Sequence, residues 1–123
     1  MTKIFLDNRL TPAEIEEQLL NSKQMLQEKN DELKVLGIRK AEAEKAYRIQ
    51  LAKKYFELRD KKYPVTLVPD LARGDEDVSE LKLKRDISDM LYEACRDKIK
   101  DLREEIGIMR SLMTQQRFEL ENA

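Results

Sequence analysis

Four carboxylates, Asp97, Asp101, Glu104 and Glu105, recur at spacings of four, three and one. On a helix such spacings set side chains from successive turns beside one another. Carboxylate bundles hold metal pairs in this way, but they also require Glu-x-x-His motifs on facing helices. The chain contains no His, and Lys98, Lys100 and Arg103 interleave with the acids. The set therefore reads as a solvated charged face. The missing His also excludes imidazole acid–base catalysis and imidazole ligation. Cys95 is the one cysteine, so neither an internal disulfide nor a Cys-rich zinc site can form. It stands four residues from both Leu91 and Ile99, where a small buried hydrophobe fits better than a nucleophile lacking a base. Met90, Met109 and Met113 fall at helical spacing and read as bundle core. No Gly-rich phosphate loop is present. The expectation is a protein without cofactor, metal or catalytic residue, and not an enzyme.

The segment from Tyr63 to Gly74 is different in kind. Pro64, Pro69 and Gly74 fall within eleven residues. Most helix–helix connections are shorter and plainer. Thr66 is a candidate cap for a short helix with Pro69 in its first turn, and Gly74 suits a left-handed helix end. Val65, Leu67, Val68 and Leu71 read as a plug that seals the helix ends. Tyr63, Asp70 and Arg73 read as partner-binding residues, because Tyr and Arg are common interface anchors and ordered loops on rigid scaffolds often carry function.

Long helices must position this connector. Of 123 residues, 40% are charged, 41% are hydrophobic, and only 3 are Gly and 3 Pro. That is too apolar for a disordered chain and too poor in turn residues for a sandwich or barrel. Residues 1–10 read as an N-terminal arm with an isolated Ile4-Phe5-Leu6, a run too short for a signal-peptide core. Helix 1 is expected over 11–62. Thr11, Pro12 and Glu14 form a capping box, and Leu10 with Ile15 forms a staple. Ile15, Leu19, Leu26, Leu33, Leu36, Ala43 and Tyr47 make a heptad-like seam, interrupted by Ser22, Lys29 and Lys40. The stripe continues through Leu51, Tyr55 and Leu58 with a drift in phase. Residues 63–76 form the connector. Helix 2 is expected over 77–121, with Leu91, Cys95, Ile99, Leu102, Ile106, Met109, Met113 and Leu120 on one face. Val78, Leu81, Leu83, Ile87, Ala94, Ile108 and Leu112 widen that face.

The fold class is thus all-α: one domain, a long antiparallel coiled-coil-like hairpin with an ordered connector. Two helices cover each other along one stripe only. A broad apolar face left wet favours a second copy and a helical bundle. Leu83, Ile87, Leu91, Ile99, Leu102, Ile106 and Met113 are the expected oligomer interface. Net charge is −1, which supplies no general pull towards nucleic acid. Asp75, Glu76, Asp77 and Glu80 would repel phosphate at the start of helix 2. No uncharged run approaches a membrane span. One cysteine fits a reducing cytosol.

The runs Ala46-Tyr47-Arg48, Leu51-Ala52, Tyr63-Pro64-Val65-Thr66-Leu67 and Asp70-Leu71-Ala72-Arg73-Gly74 resemble small uncharacterised helical proteins of phages and prophages of Gram-positive bacteria. The likeness continues through Leu81-Lys82-Leu83-Lys84-Arg85-Asp86 and the 102–112 region. It covers about the last two thirds of the chain and brings no catalytic residue. It implies a bacterial host cytosol and a setting among early phage genes. The functional expectation is a self-associating helical interaction protein that binds a phage or host protein. The alternative is an accessory factor of phage DNA replication or recombination that touches nucleic acid through the hairpin tip.

Overall fold

The computed structural model describes residues 10–122; the arm expected around Ile4, Phe5 and Leu6 lies outside the described residues. Those described form three helices and no strand: α1 Pro12–Asp60, α2 Val68–Arg73 and α3 Glu76–Glu121. α1 and α3 pack against each other as a helical hairpin. The described residues group into two compact units, Glu32–Cys95 and the stretches 10–31 and 96–122.

In the Glu32–Cys95 unit the α1 partners Lys40, Glu44 and Lys54 meet Asp89, Arg85 and Asp75 respectively. Numbers rise along α1 as they fall along α3, so the two helices run antiparallel. The connector-side core is Leu58, Val68 and Ala72, with Leu51 and Tyr55 packed against it. In the other unit Ile15 and Leu19 of α1 form a core with Ile106 and Met109 of α3. Leu10, Leu26, Leu112 and Met113 pack around that cluster. The Gln116 amide donates to the Leu10 carbonyl at 2.7 Å.

α1 starts where its cap predicts. The Glu14 backbone amide donates to Thr11 Oγ1 at 3.2 Å, and the Thr11 hydroxyl donates to the Glu14 carboxylate. All ten apolar residues expected in the α1 seam, Ile15 through Leu58, are buried or half-buried. Ser22 is buried, and Lys29 and Lys40 are half-buried, so these polar interruptions do face the neighbouring helix. The alternation of three and four breaks where Ala43, Tyr47 and Leu51 follow at four and four. That inserted spacing is a stutter, which locally unwinds a coiled coil.

α3 corrects the sequence reading. Its inward positions are 78, 81, 85, 88, 92, 95, 99, 102, 106, 109, 113 and 116, all buried or half-buried. The spacing alternates three and four throughout, a heptad without interruption. Leu91, Leu83 and Ile87 were expected on this face but are exposed. Arg85, Ser88 and Tyr92 occupy the inward positions instead. Hydrophobicity drew the expected stripe one residue off phase, because polar and aromatic side chains fill the true positions there. Leu120, Ile108 and Ala94 are exposed too, and Met90, read as bundle core, is 70% exposed.

The expected interface needs a parallel correction. Ile99, Leu102 and Ile106 are buried by the chain itself, Leu102 to 2% exposure. Met113 packs against the Ile15 cluster. Ile99, Leu102 and Ile106 belong to the hairpin's own seam and present almost no surface to a second copy, and Met113 is half-buried against the same seam. Leu83, Ile87 and Leu91 remain outside.

Candidate functional site

The connector begins with a helix end that composition does not announce. The Tyr63 amide donates to the Leu58 carbonyl at 3.2 Å, and the Lys62 amide to the Arg59 carbonyl at 3.0 Å. Lys62 has φ 62°. These two bonds and one left-handed residue make a Schellman end, a place glycine usually takes. Gly74, expected to be left-handed, has φ −82° and ψ −7°. It ends α2 in right-handed geometry, with its amide donating to the Asp70 carbonyl. Thr66 does not cap α2 either. Leu67 holds that place without a side-chain hydrogen bond, and proline stands in the first turn as expected. The turn is closed instead by the Leu67 and Val68 amides, which donate to the Pro64 carbonyl at 2.9 and 3.2 Å.

Asp75 starts α3. Its carboxylate accepts from the Val78 amide at 3.1 Å and lies 3.2 Å from the Lys54 ammonium. The amide bond from Val78 first, then Lys54, holds the Asp75 carboxyl below its usual range. The hydrogen bond to Asp75 in turn raises Lys54. The Ser79 hydroxyl donates to the Arg73 carbonyl at 2.8 Å. Backbone and cap bonds thus fasten the connector at both ends, as a contact surface requires.

α2 is two-faced. Val68 and Ala72, four apart, are buried at 4% and 0% exposure against Leu58. Leu67 and Leu71, also four apart, point outward and are exposed, as are Tyr63 and Val65, the latter at 74%. Of the expected plug, Val68 alone seals, with Ala72 as the tighter anchor. Val65, Leu67 and Leu71 are surface. Tyr63, Asp70 and Arg73 are exposed as expected. The bonds given above at Asp70 and Arg73 use their backbone carbonyls, so both side chains remain at the surface. Pro64 and Pro69 shape the segment. Leu67, Val68, Leu71 and Ala72 make one broad apolar arc on helical spacing, so the spacing did not say which edge of the arc docks against Leu58.

Below the connector, α1 and α3 are bridged by cations lying on rings. Arg85 lies over the Tyr47 ring at 4.4 Å from its centroid, and Lys40 over Tyr92 at 4.7 Å. Lys40 also pairs with Asp89 at 2.9 Å, the contact that most raises its pKa. Arg85 Nε lies 3.6 Å from the Glu44 carboxylate. The Tyr92 ring lies close over Gly37. A Cβ at Gly37 would sit 3.3 Å from Tyr92 Cε1. These rungs line an open groove and use their charges on one another, which suits a structural clasp.

Asp97, Asp101, Glu104 and Glu105 are all exposed, and Cys95 is buried. Among the described residues, no group of three or more His, Cys, Asp or Glu could hold a metal ion. No helix described is long and apolar enough to cross a membrane. No family model, curated protein or solved structure matches the chain.

Proposed function

We propose that the chain is a non-enzymatic helical interaction protein that self-associates and offers its connector to a partner protein. The observation that carries this reading is an ordered connector with Tyr63, Val65, Leu67 and Leu71 exposed together beside Asp70 and Arg73. A fastened segment of this kind has little conformational freedom left to lose on docking, which favours binding. Apolar residues rimmed by polar ones are the usual anatomy of a protein interface. The resemblance to phage and prophage hairpins supplies the setting, a phage or host protein in a bacterial cytosol.

The nucleic-acid alternative draws less support. Asp75, Glu76 and Asp77 stand at the same end of the molecule as the connector, and phosphate would meet them. DNA binding is expected to be weak and to vanish by about 200 mM salt.

The test compares partner capture by the wild type, Arg73→Ala and Val65→Asp. Both side chains are exposed, so melting temperatures should stay within about 0.5 kcal/mol of wild type in stability. Capture should fall sharply in each. Unchanged capture in both variants rejects the connector as the contact surface. If Arg73→Ala melts the fold, Arg73 is a structural clamp.

A further inference from the structure

Ile49, Ala52 and Phe56 follow at three and four on α1, and all are exposed, Ile49 at 45% and Phe56 at 69%. Tyr47 and Leu58 on the same stretch are buried, so this stripe lies on the side of α1 turned away from α3. A helix receives a partner helix in holes walled by residues i, i+3, i+4 and i+7. Ile49, Ala52, Lys53 and Phe56 make one such hole, and the small Ala52 deepens it between two large walls. The hole before it is Lys45, Arg48, Ile49 and Ala52. The hole after it is Ala52, Tyr55, Phe56 and Arg59. Each of these holes has a cation on its rim. The side chains of Lys45, Lys53 and Arg59 pair with no carboxylate among the described residues. Arg48 pairs with the half-buried Glu44. Of the acids nearby, Glu57 is taken by Lys54 and Lys61, and Glu42 and Asp60 stand beyond the two ends of the stripe.

We propose that this face of α1 docks an acidic amphipathic helix of a partner protein, apolar at its own three–four positions and flanked by Glu or Asp. The surface is separate from the connector and does not rest on the connector's role. Charge complementarity argues for the occupant. Unpaired cations beside an apolar stripe are matched by carboxylates beside the partner's seam, and such flanking charges choose partners in coiled coils. A second copy of the same face would set Lys45, Lys53 and Arg59 against their own kind, which selects against it. Nucleic acid has phosphates for the cations but no apolar knobs for the holes around Ile49 and Ala52. A lipid surface needs a broad apolar face, and here only Ile49 and Phe56 are large. A helix with the same repeat fills successive holes and meets the cations at once.

The experiment titrates two labelled synthetic helices with the full chain and follows fluorescence anisotropy. Both peptides carry Leu at the seam positions over about three heptads. One has Glu at the flanking positions and the other Lys. The acidic peptide should bind, and less tightly as salt rises. The basic peptide should bind about tenfold more weakly or worse. Phe56→Asp should weaken the acidic peptide by about tenfold or more with an unchanged melting temperature, because residue 56 is surface. Lys45→Glu with Lys53→Glu should reverse the preference between the two peptides, a result that a misfolded chain cannot give. Equal binding of both peptides, or no binding of the acidic one at about 100 µM chain, overturns the proposal. Loss on Val65→Asp rather than on Phe56→Asp moves the peptide to the connector and overturns this surface alone. Tighter capture of a DNA oligonucleotide or of phosphatidylglycerol vesicles, lost on Phe56→Asp, overturns the protein helix as occupant. A dimer of the chain that Phe56→Asp dissociates overturns it as well.

Discussion

In the unit built from 10–31 and 96–122, inward positions carry Ile15, Leu19, Ile106 and Met109. In the Glu32–Cys95 unit, inward positions carry Lys40, Tyr47, Arg85 and Tyr92. Both units use the same heptad spacing on α3 and differ in what fills it. Aliphatic burial is strong but non-directional, so it tolerates sliding of one helix along the other. A cation over a ring with a carboxylate beside it is directional: Lys40 pairs with Asp89 at 2.9 Å, while Arg85 lies over Tyr47 with its nearest carboxylate, Asp86 of its own helix, at 3.0 Å and Glu44 at 3.6 Å. Exposed ion pairs add little stability of their own. Their contribution here is register, delivered next to the connector, where the two helices must arrive in step for α2 to seat on Leu58.

The largest expected effect breaks the aliphatic seam. Leu102→Asp puts an unpaired carboxylate where exposure is 2%. It should cost about 3–5 kcal/mol, enough to unfold a chain of ordinary stability. Circular dichroism melts read the loss, and a cooperative melt near wild type would show that residue 102 is not core. The polar–aromatic region gives the next effect. Tyr47 is buried at 7% exposure, and Tyr47→Ala should cost about 3 kcal/mol by leaving a cavity. Tyr47→Phe keeps the ring beneath Arg85 and should cost less than about 1 kcal/mol. Equal losses from the two, measured by urea titration, would place the weight on the hydroxyl rather than on the stacked ring.

A smaller effect is pH-dependent. The Asp75 carboxyl sits below its usual range when folded. Its contribution is therefore complete above the ordinary carboxylate pKa of about 4 and is lost as pH falls through the lowered folded value. Asp75→Asn retains an oxygen for the Val78 amide but cannot titrate or pair with Lys54. Melting temperature followed from neutral pH into acid should fall less steeply in the variant than in wild type. Matching acid limbs would mean that other carboxyls dominate. The smallest effect is a gain. Lys62 holds a left-handed backbone that glycine adopts freely, so Lys62→Gly should stabilise by about 0.5–1 kcal/mol after the entropy cost of glycine in the unfolded chain. A destabilised variant would imply that the lysine side chain has a role in the helix end.

The α1 seam was legible residue by residue because its inward positions are mostly Leu, Ile and Tyr. Its polar members, Ser22, Lys29 and Lys40, were found by spacing alone. α3 was legible from Cys95 to Met113 for the same reason. It failed between Leu83 and Leu91, where two stripes share one helix and the more hydrophobic one faces away from the hairpin. Strict alternation of three and four, carried back from Cys95 to Val78, identifies the inward stripe without reference to hydrophobicity. In the connector, proline positions were readable and glycine misled. The left-handed residue is Lys62, and only backbone geometry reveals it. Exposure of Tyr63, Asp70 and Arg73 followed from sequence, whereas exposure of Val65, Leu67 and Leu71 did not. Six residues of helix have room for two faces, and composition does not say which one docks.

If the connector is the docking surface, the unit built from 10–31 and 96–122 is scaffold. A photo-activatable phenylalanine analogue placed at Val65, and separately at Phe118, tests it directly. Both positions are exposed, at 74% and 65%, so accessibility is matched. Irradiation of the full chain in the cells that make it should yield a discrete protein adduct from position 65. That adduct should be lost on adding Arg73→Ala, and position 118 should give none. The same adduct from both positions, or an adduct from 118 alone, would contradict the account.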